Sequence, residues 1–480
     1  MAAKRNTKTR KEHDAMGDMT VPADVLYGAS TQRAVLNFPI SGDPVGWEVI
    51  HSFALLKRAA ANTNHKLGRL DARRRNLIVK ACSKVIRALE DPESRDDMMR
   101  HFPVDTYQTG SGTSTNMNVN EVIANMACLD AGRKIGAQDP VHPNNHVNMG
   151  QSSNDTFPTA MEVAAAVRIK QLLLPSLKTL AKTLHGKAKQ FDSIVKIGRT
   201  HLQDATPIRL GQEFSGYAAQ ADYAIRRATN ALTALSSNLP IGGTAVGTGI
   251  NTHPKFGGTV AKFLSKDTGI RFQEAENHFE AQAAKDSCVE AHGSLRTIGV
   301  SLSKIATDIR LMGCGPRVGI FEIELPELQP GSSIMPGKVN PVLVESVMQV
   351  AMRVAGNDTT VAMGGFGGTG SMMELNVAMP MISQAMLESI RLLGHVADTF
   401  AQNCVKGIKA NHKVINQHVE ASLMLGTALA PVIGYNKASD IAHACFHSGQ
   451  TIRAYCLEHD VLPKEQLDEL LDATSMTHPR

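Results

Sequence analysis

Cys288-Val-Glu-Ala-His-Gly-Ser-Leu-Arg-Thr-Ile-Gly-Val-Ser-Leu-Ser-Lys-Ile-Ala-Thr-Asp-Ile-Arg-Leu-Met312 is the stretch that decides the fold. Within it Cys288, Ala291, Leu295, Ile298, Leu302, Ile305, Ile309 and Met312 recur at spacings of 3 and 4 without a slip. A sustained 3.5-residue period marks a helix packed along its whole length in a bundle. At ~1.5 Å per residue such a helix is about 36 Å long and needs long partners. The sequence offers residues 158–183, with a break expected at Pro175, then 208–235, 342–363 and 373–403. These five predict a central bundle domain at 152–409.

Working outward, residues 1–151 predict an N-terminal domain of shorter helices at 47–65, 72–88 and 118–129 between proline-bearing loops. Residues 410–480 predict a small C-terminal helical domain with helices at 437–447 and 463–471. Strands are expected only near 20–28 and 321–325, so the fold class is mainly α.

Composition agrees with a globular chain: 480 residues, 42% hydrophobic and 20% charged, too long for one compact core. Seven cysteines, odd in number and without a CxxC pair, indicate neither a disulfide framework nor a sulfur-ligated cluster. A reducing compartment follows. The net charge of +5 is small, but Lys4, Arg5, Lys8, Arg10 and Lys11 crowd the start of the chain. We read a solvated tail, because a nucleic-acid arm would sit beside a basic face. The tail has no apolar core, and Glu12 and Asp14 follow it at once, unlike a secretory signal or transit peptide. No apolar run is long enough to span a bilayer. The expected location is the cytoplasm, or the mitochondrial matrix in a eukaryote, with neither nucleic acid nor membrane as partner.

Four loops carry the chemistry. Gly331-Ser-Ser-Ile-Met-Pro-Gly-Lys-Val-Asn-Pro341 places two hydroxyls, a cation and an amide between conformationally special residues, equipment suited to a carboxylate. A polar surface turn would explain the glycines and prolines but not that concentration of ligand-type side chains. Gly110-Ser-Gly-Thr-Ser-Thr-Asn-Met-Asn118 precedes a helix, whose N-terminal amides favour an anion. A capping box from Asn118 to Glu121 accounts for its last few residues. Gln151-Ser-Ser-Asn-Asp-Thr-Phe-Pro158 repeats this chemistry before another helix, so two loops could hold two carboxylates. Gly198-Arg-Thr-His201 adds an imidazole able to exchange protons near neutral pH, and Glu345 could orient its ring.

Two motifs tempt but fail. His142-Pro-Asn-Asn-His146 has no carboxylate nearby for a metal site and fits a structural or ancillary anion-binding turn better. Gly365-Phe-Gly-Gly-Thr-Gly370 matches a dinucleotide pattern but follows a helix rather than a strand. Its glycines, like those of Gly242-Gly-Thr-Ala-Val-Gly-Thr-Gly249, suit tight turns or close backbone packing.

Taken together, the Gly331 loop, Thr109–Thr113, Gln151–Asp155, Gly198–His201 and Gly242–Gly249 resemble class II fumarate hydratase of the fumarase/aspartase superfamily, in order and spacing, over nearly the whole chain. The resemblance implies a three-domain homotetramer with a multi-helix core, each active site drawing on three subunits. It implies reversible hydration of fumarate to (S)-malate, a tricarboxylic acid cycle step, with no cofactor and no metal. Ser332 would remove the C3 proton, and His201 with Glu345 would exchange the proton at the hydroxyl end. Ser111, Gly112, Thr113, Asn116, Ser152, Ser153, Asn154, Thr200, Ser333, Lys338, Val339 and Asn340 would line the substrate pocket. His142, Pro143, Asn144 and Asn145 match a second anion site whose usual pattern ends in Asp, from which Asn145 departs. Aspartate ammonia-lyase is the alternative: Thr113-Ser-Thr115 leans toward it, whereas Gly337 and Ser153 lean toward the hydratase.

Overall fold

The eight positions of the 3.5-residue period are all buried, none more than 5% exposed, on a helix of 27 residues, Asp286–Met312. In a computed structural model, residues 8–479 are described, and eighteen α-helices and eight short strands lie among them. Lys4 and Arg5 of the basic tail lie outside the described residues. The other long helices are Leu210–Ser236, Val342–Gly365 and Met379–Asn403. The fifth segment runs from Ser153–Arg168 through one wide π turn, Ile169–Leu173, into Leu174–Gln190.

That wide turn corrects the expected break at Pro175. Proline lacks an N–H and crowds the carbonyl four residues earlier, and a π turn immediately ahead of it relieves both problems while the helix continues. Met379, rather than residue 373, begins the last long helix because Ser371–Met372 and Leu375–Asn376 pair as a small hairpin.

The chain forms two compact units. One takes residues up to Leu174, Arg227–Ile298 and Met352–Leu393; the other takes Pro175–Arg226, Gly299–Ala351 and Gly394 onward. In the first, the helix Trp47–Lys66 packs on Ala72–Glu90, Ser153–Arg168 and Phe256–Thr268. Buried polar bonds tie its long helical segments together: Ser287 Oγ donates to Glu162 at 2.8 Å, and His292 sits 3.0 Å from Asp358 and 2.9 Å from Ser389 Oγ. In the second unit, Leu425, Leu429, Ile441, Cys445, Ile452, Cys456 and Leu467 form one apolar cluster of the C-terminal helices.

Three local expectations are corrected. Residues 10 and 11 are not a solvated tail, because Thr9–Asp14 pairs with Gly17–Pro22. The Arg10 guanidinium donates to Glu12 and to the carbonyls of Pro22, Val25 and Tyr27; its rigid fork of donors suits several fixed acceptors. A second hairpin, Val195–Thr200 with Gln203–Arg209, appears where no strand was expected. The helix expected at 118 begins at Thr113, so Asn118 and Glu121 form no capping box. Glu121 instead accepts bonds from the amides of Gly28, Ser30 and Thr31 and from Thr31 Oγ1.

All seven cysteines are free. Among the described residues no helix is long and apolar enough to cross a membrane.

Candidate functional site

In the first unit, two helix starts bring the Gly110 and Gln151 loops together. Gly112, at φ +72°, caps the helix Thr113–Asp130, and a Cβ on it would lie 2.0 Å from Phe157 Cδ2. Only glycine adopts that conformation freely and leaves that ring its space. Ser152 caps the other helix in a capping box with Asp155, whose carboxylate accepts from the Ser152 amide at 2.9 Å. The same carboxylate accepts from the amides of Gly242 and Thr244 at 3.1 and 2.9 Å, fixing the glycine-rich loop against the helix start. Burial pushes Asp155 up to about 6.

A chain of hydroxyls results. Ser111 Oγ is 2.9 Å from Thr113 Oγ1, which is 2.7 Å from Ser153 Oγ. Asn154 Nδ2 donates to the Ala245 carbonyl at 2.7 Å. Thr113, Asn116, Ser152 and Ser153 line a cavity of about 380 Å³ together with Asn148, Gly150 and Gln151. Such a surface offers hydroxyl and amide donors and no acidic group in its lining, which suits an anion.

Lys57 stands behind this cavity and escaped the sequence analysis. Its side chain is fully buried, and Nζ donates to Asn116 Oδ1 at 2.7 Å and to Asn148 Oδ1 and Gln151 Oε1, both at 3.0 Å. Burial depresses its ammonium to about 7, against the pull of Asp155. A signal existed: Lys57 falls four residues after Phe53 and three before Ala60, on the inward face of its helix.

In the second unit, Ser332 Oγ accepts from the amides of Ile334 and Met335 at 3.2 and 2.9 Å. The loop closes on itself, Gly331 N donating to the Lys338 carbonyl at 2.8 Å and Asn340 Nδ2 to the Gly331 carbonyl at 2.7 Å. A Cβ at position 331 would sit 2.5 Å from that Lys338 oxygen, so the closure requires glycine. Lys338, Val339, Asn340 and Glu345 line a cavity of about 850 Å³ with Arg310, Glu324 and Lys409. Ser333 is exposed.

Thr200 and His201 stand at the tip of the second hairpin. His201 and Leu202 form its two-residue turn at φ +56° and +59°, the paired left-handed geometry that suits the twist of a hairpin. Both are exposed. The base of this hairpin is anchored by charge. Glu322, 0% exposed, pairs with Arg199 at 2.8 Å and Lys196 at 3.0 Å, and Lys196 also reaches Glu213 at 2.8 Å. Among the described residues no hydrogen bond joins His201 to Glu345 within the chain.

The His142 motif forms a short wide turn, Pro143–Val147. His142 Nδ1 accepts from the amides of Asn144 and Asn145, and burial lowers both His142 and His146. His142, Pro143 and Asn144 line a cavity of about 650 Å³ with His13, Arg33 and Gln138, while Asn145 is exposed outside that lining.

Comparison with known proteins places the chain in a family. A family model described as lyase matches residues 17–356, and one described as fumarase C C-terminus matches residues 425–478. Fumarate hydratase class II of Nitrosomonas europaea is 49% identical over 98% of this chain and 99% of its own length. Mitochondrial fumarate hydratase of Saccharomyces cerevisiae is 48% identical over 99% of this chain and 95% of its own. The crystal structure of class II fumarase from Schistosoma mansoni matches with a TM-score of 0.93 at 37% identity, covering 98% of this chain and 100% of that one. With the glycine-bounded serine loop, the two capped helix starts and the histidine turn all present, the chain belongs to the class II fumarate hydratase family of lyases.

Proposed function

We propose that the protein hydrates fumarate reversibly to (S)-malate, with Ser332 as the base at C3. The observation that carries this assignment is the pair of amide bonds to Ser332 Oγ. A serine hydroxyl is normally too weak an acid to ionise, and preorganised backbone donors stabilise the alkoxide it must become. In the malate-to-fumarate direction Ser332 takes the C3 proton. The C–H electrons move into an enediolate on the adjacent carboxylate, which then carries two negative charges. In this reading Lys338 and Asn340 offset that charge as it develops. Return of the electrons forms the C2–C3 double bond and expels the C2 hydroxyl, which leaves as water with a proton delivered through His201. Glu345 orients the imidazole.

Ser111, Gly112, Thr113, Asn116, Ser152, Ser153, Asn154, Thr200, Ser333 and Val339 complete the pocket in this reading. His142–Asn145 would form an ancillary anion site. The assembly is a homotetramer in which three subunits contribute to each active site. This is supported by the lack of a hydrogen bond between His201 and Glu345 within one chain among the described residues. It is also supported by Val300, Met352 and Met363, which leave 62%, 65% and 46% of their surface exposed on long helices and call for apolar partners. Segments 1–151, 152–409 and 410–480 are taken as the functional divisions. The cytoplasm or the mitochondrial matrix is the proposed location, and the scheme uses no cofactor.

Loss of fumarate ultraviolet absorbance on mixing with pure protein tests the reading. A protein that leaves fumarate untouched but releases ammonia from L-aspartate is an ammonia-lyase instead. Light scattering tests the tetramer.

A further inference from the structure

We propose that Lys57 is a positioning residue for substrate binding, holding the Asn116 amide with its oxygen inward so that its N–H face is presented to a deprotonated four-carbon dicarboxylate. The inference deepens the fumarate reading and rests on it.

An ammonium group is donor-only, whereas a side-chain amide carries a donor and an acceptor of nearly equal shape. Three donations from one buried Nζ therefore fix three amides at once: Asn116, Asn148 and Gln151 must all turn their oxygens toward Lys57. Their nitrogens are forced the other way. Asn148 Nδ2 goes to the Gln151 carbonyl, and Gln151 Nε2 to the carbonyls of Val147 and Met149. Asn116 Oδ1 is held a second time, by Thr156 Oγ1 at 3.1 Å. One proton of Asn116 Nδ2 is directed to Asn148 Oδ1 at 3.2 Å, and the other has no protein acceptor among the described residues. Asn116 lines the 380 Å³ cavity, where that N–H would meet a carboxylate oxygen.

Charge works in the same direction. Among the described residues no carboxylate forms an ion pair with Lys57, whose three hydrogen-bond partners are neutral, and the buried Asp155 carboxylate attracts its ammonium only at a distance. Burying a charge this way costs stability. A dianion in the adjacent cavity would be attracted more strongly than in water, because the intervening medium is poorly polarisable. A lysine serving only to fill the core would have no such dependence on ligand.

Lys57→Met separates these roles, since methionine fills similar space without charge or donors. The expected result is a folded protein with a KM for fumarate raised at least 10-fold and a smaller loss in kcat. Affinity for succinate, a non-reacting dicarboxylate measured by calorimetry, falls by a similar factor. A folded Lys57→Met tetramer with KM and succinate affinity within 2-fold of wild type overturns the proposal. If that variant does not fold, Lys57→Arg and Lys57→Gln are compared: Arg keeps KM nearer wild type than Gln if the charge positions the amide, and equal KM values overturn it. A wild-type protein inactive on fumarate defeats the functional reading itself, whereas an active one with an unmoved KM in Lys57→Met defeats only this inference.

Discussion

Ser332 Oγ lies 2.9 Å from the Met335 amide nitrogen, the backbone donating and the side chain accepting. With the Ile334 amide beside it, this oxygen is surrounded by positive backbone dipoles before any substrate arrives. Ser332→Ala removes the oxygen but not the loop, whose closure runs through Gly331, Lys338 and Asn340. We expect kcat for fumarate to fall by about 10²–10⁴-fold, the usual contribution of a positioned base, with oligomer size unchanged. Wild-type turnover in this variant would remove Ser332 from the mechanism.

His201→Asn tests the imidazole without disturbing its turn. Position 201 has φ +56°, a conformation that asparagine tolerates better than most residues. Turnover should drop by about 100-fold as proton transfer is lost. The shape of the pH–rate profile should change with it. If the profile keeps its shape, the histidine serves the turn and not the chemistry.

Gly112→Ala should destabilise the first unit. Its φ of +72° strains any side chain, and the new methyl would start 2.0 Å from Phe157 Cδ2. Left-handed strain and overpacking together cost roughly 2–5 kcal/mol. A urea denaturation midpoint equal to wild type would show that the ring moves aside freely. A raised KM should accompany the loss, since Ser111 and Thr113 flank the substituted residue.

Glu322→Gln should destabilise the base of the histidine hairpin in a pH-dependent way. Burial opposes ionisation of Glu322, but Lys196 and Arg199 outweigh it and hold the carboxyl below its ordinary value of 4.5. A depressed carboxylate contributes stability that is fully present above the unfolded value and is lost as pH falls through the folded one. The variant should therefore lose about 3–5 kcal/mol at pH 7, where Lys196 is left with Glu213 alone. That deficit should shrink steadily below pH 4.5. A deficit that does not vary between pH 7 and pH 3 would rule out the charge argument.

The sequence was legible where a period or a special residue dictated geometry. Cys288 to Met312 betrayed its buried face because eight apolar residues kept one phase, and the glycines and prolines of the serine loop marked a fixed turn. Thr113 misled because Thr, Ser and Asn are poor helix formers, so the helix was placed five residues late; Gly112 was the stronger signal of where it begins. The hairpin bearing His201 was missed because Gly198 and Pro207 interrupt its alternation, and a bulge between Ile197 and Arg199 shifts the register there. Lys57 was passed over because a lysine on a helix is ordinarily solvated, and only its three-dimensional neighbours show three side-chain oxygens waiting for it.

The wide turn at Ile169–Leu173 amounts to one residue absorbed into a continuing helix. Every later position through Gln190 thereby lags in angular phase behind an uninterrupted α-helix. Tightening that turn to ordinary winding without removing a residue would rotate the downstream side chains by about 100° around the axis. Leu177, Leu180 and Leu184, all buried now, would swing away from their contacts, so the wide turn is what keeps these three leucines facing inward.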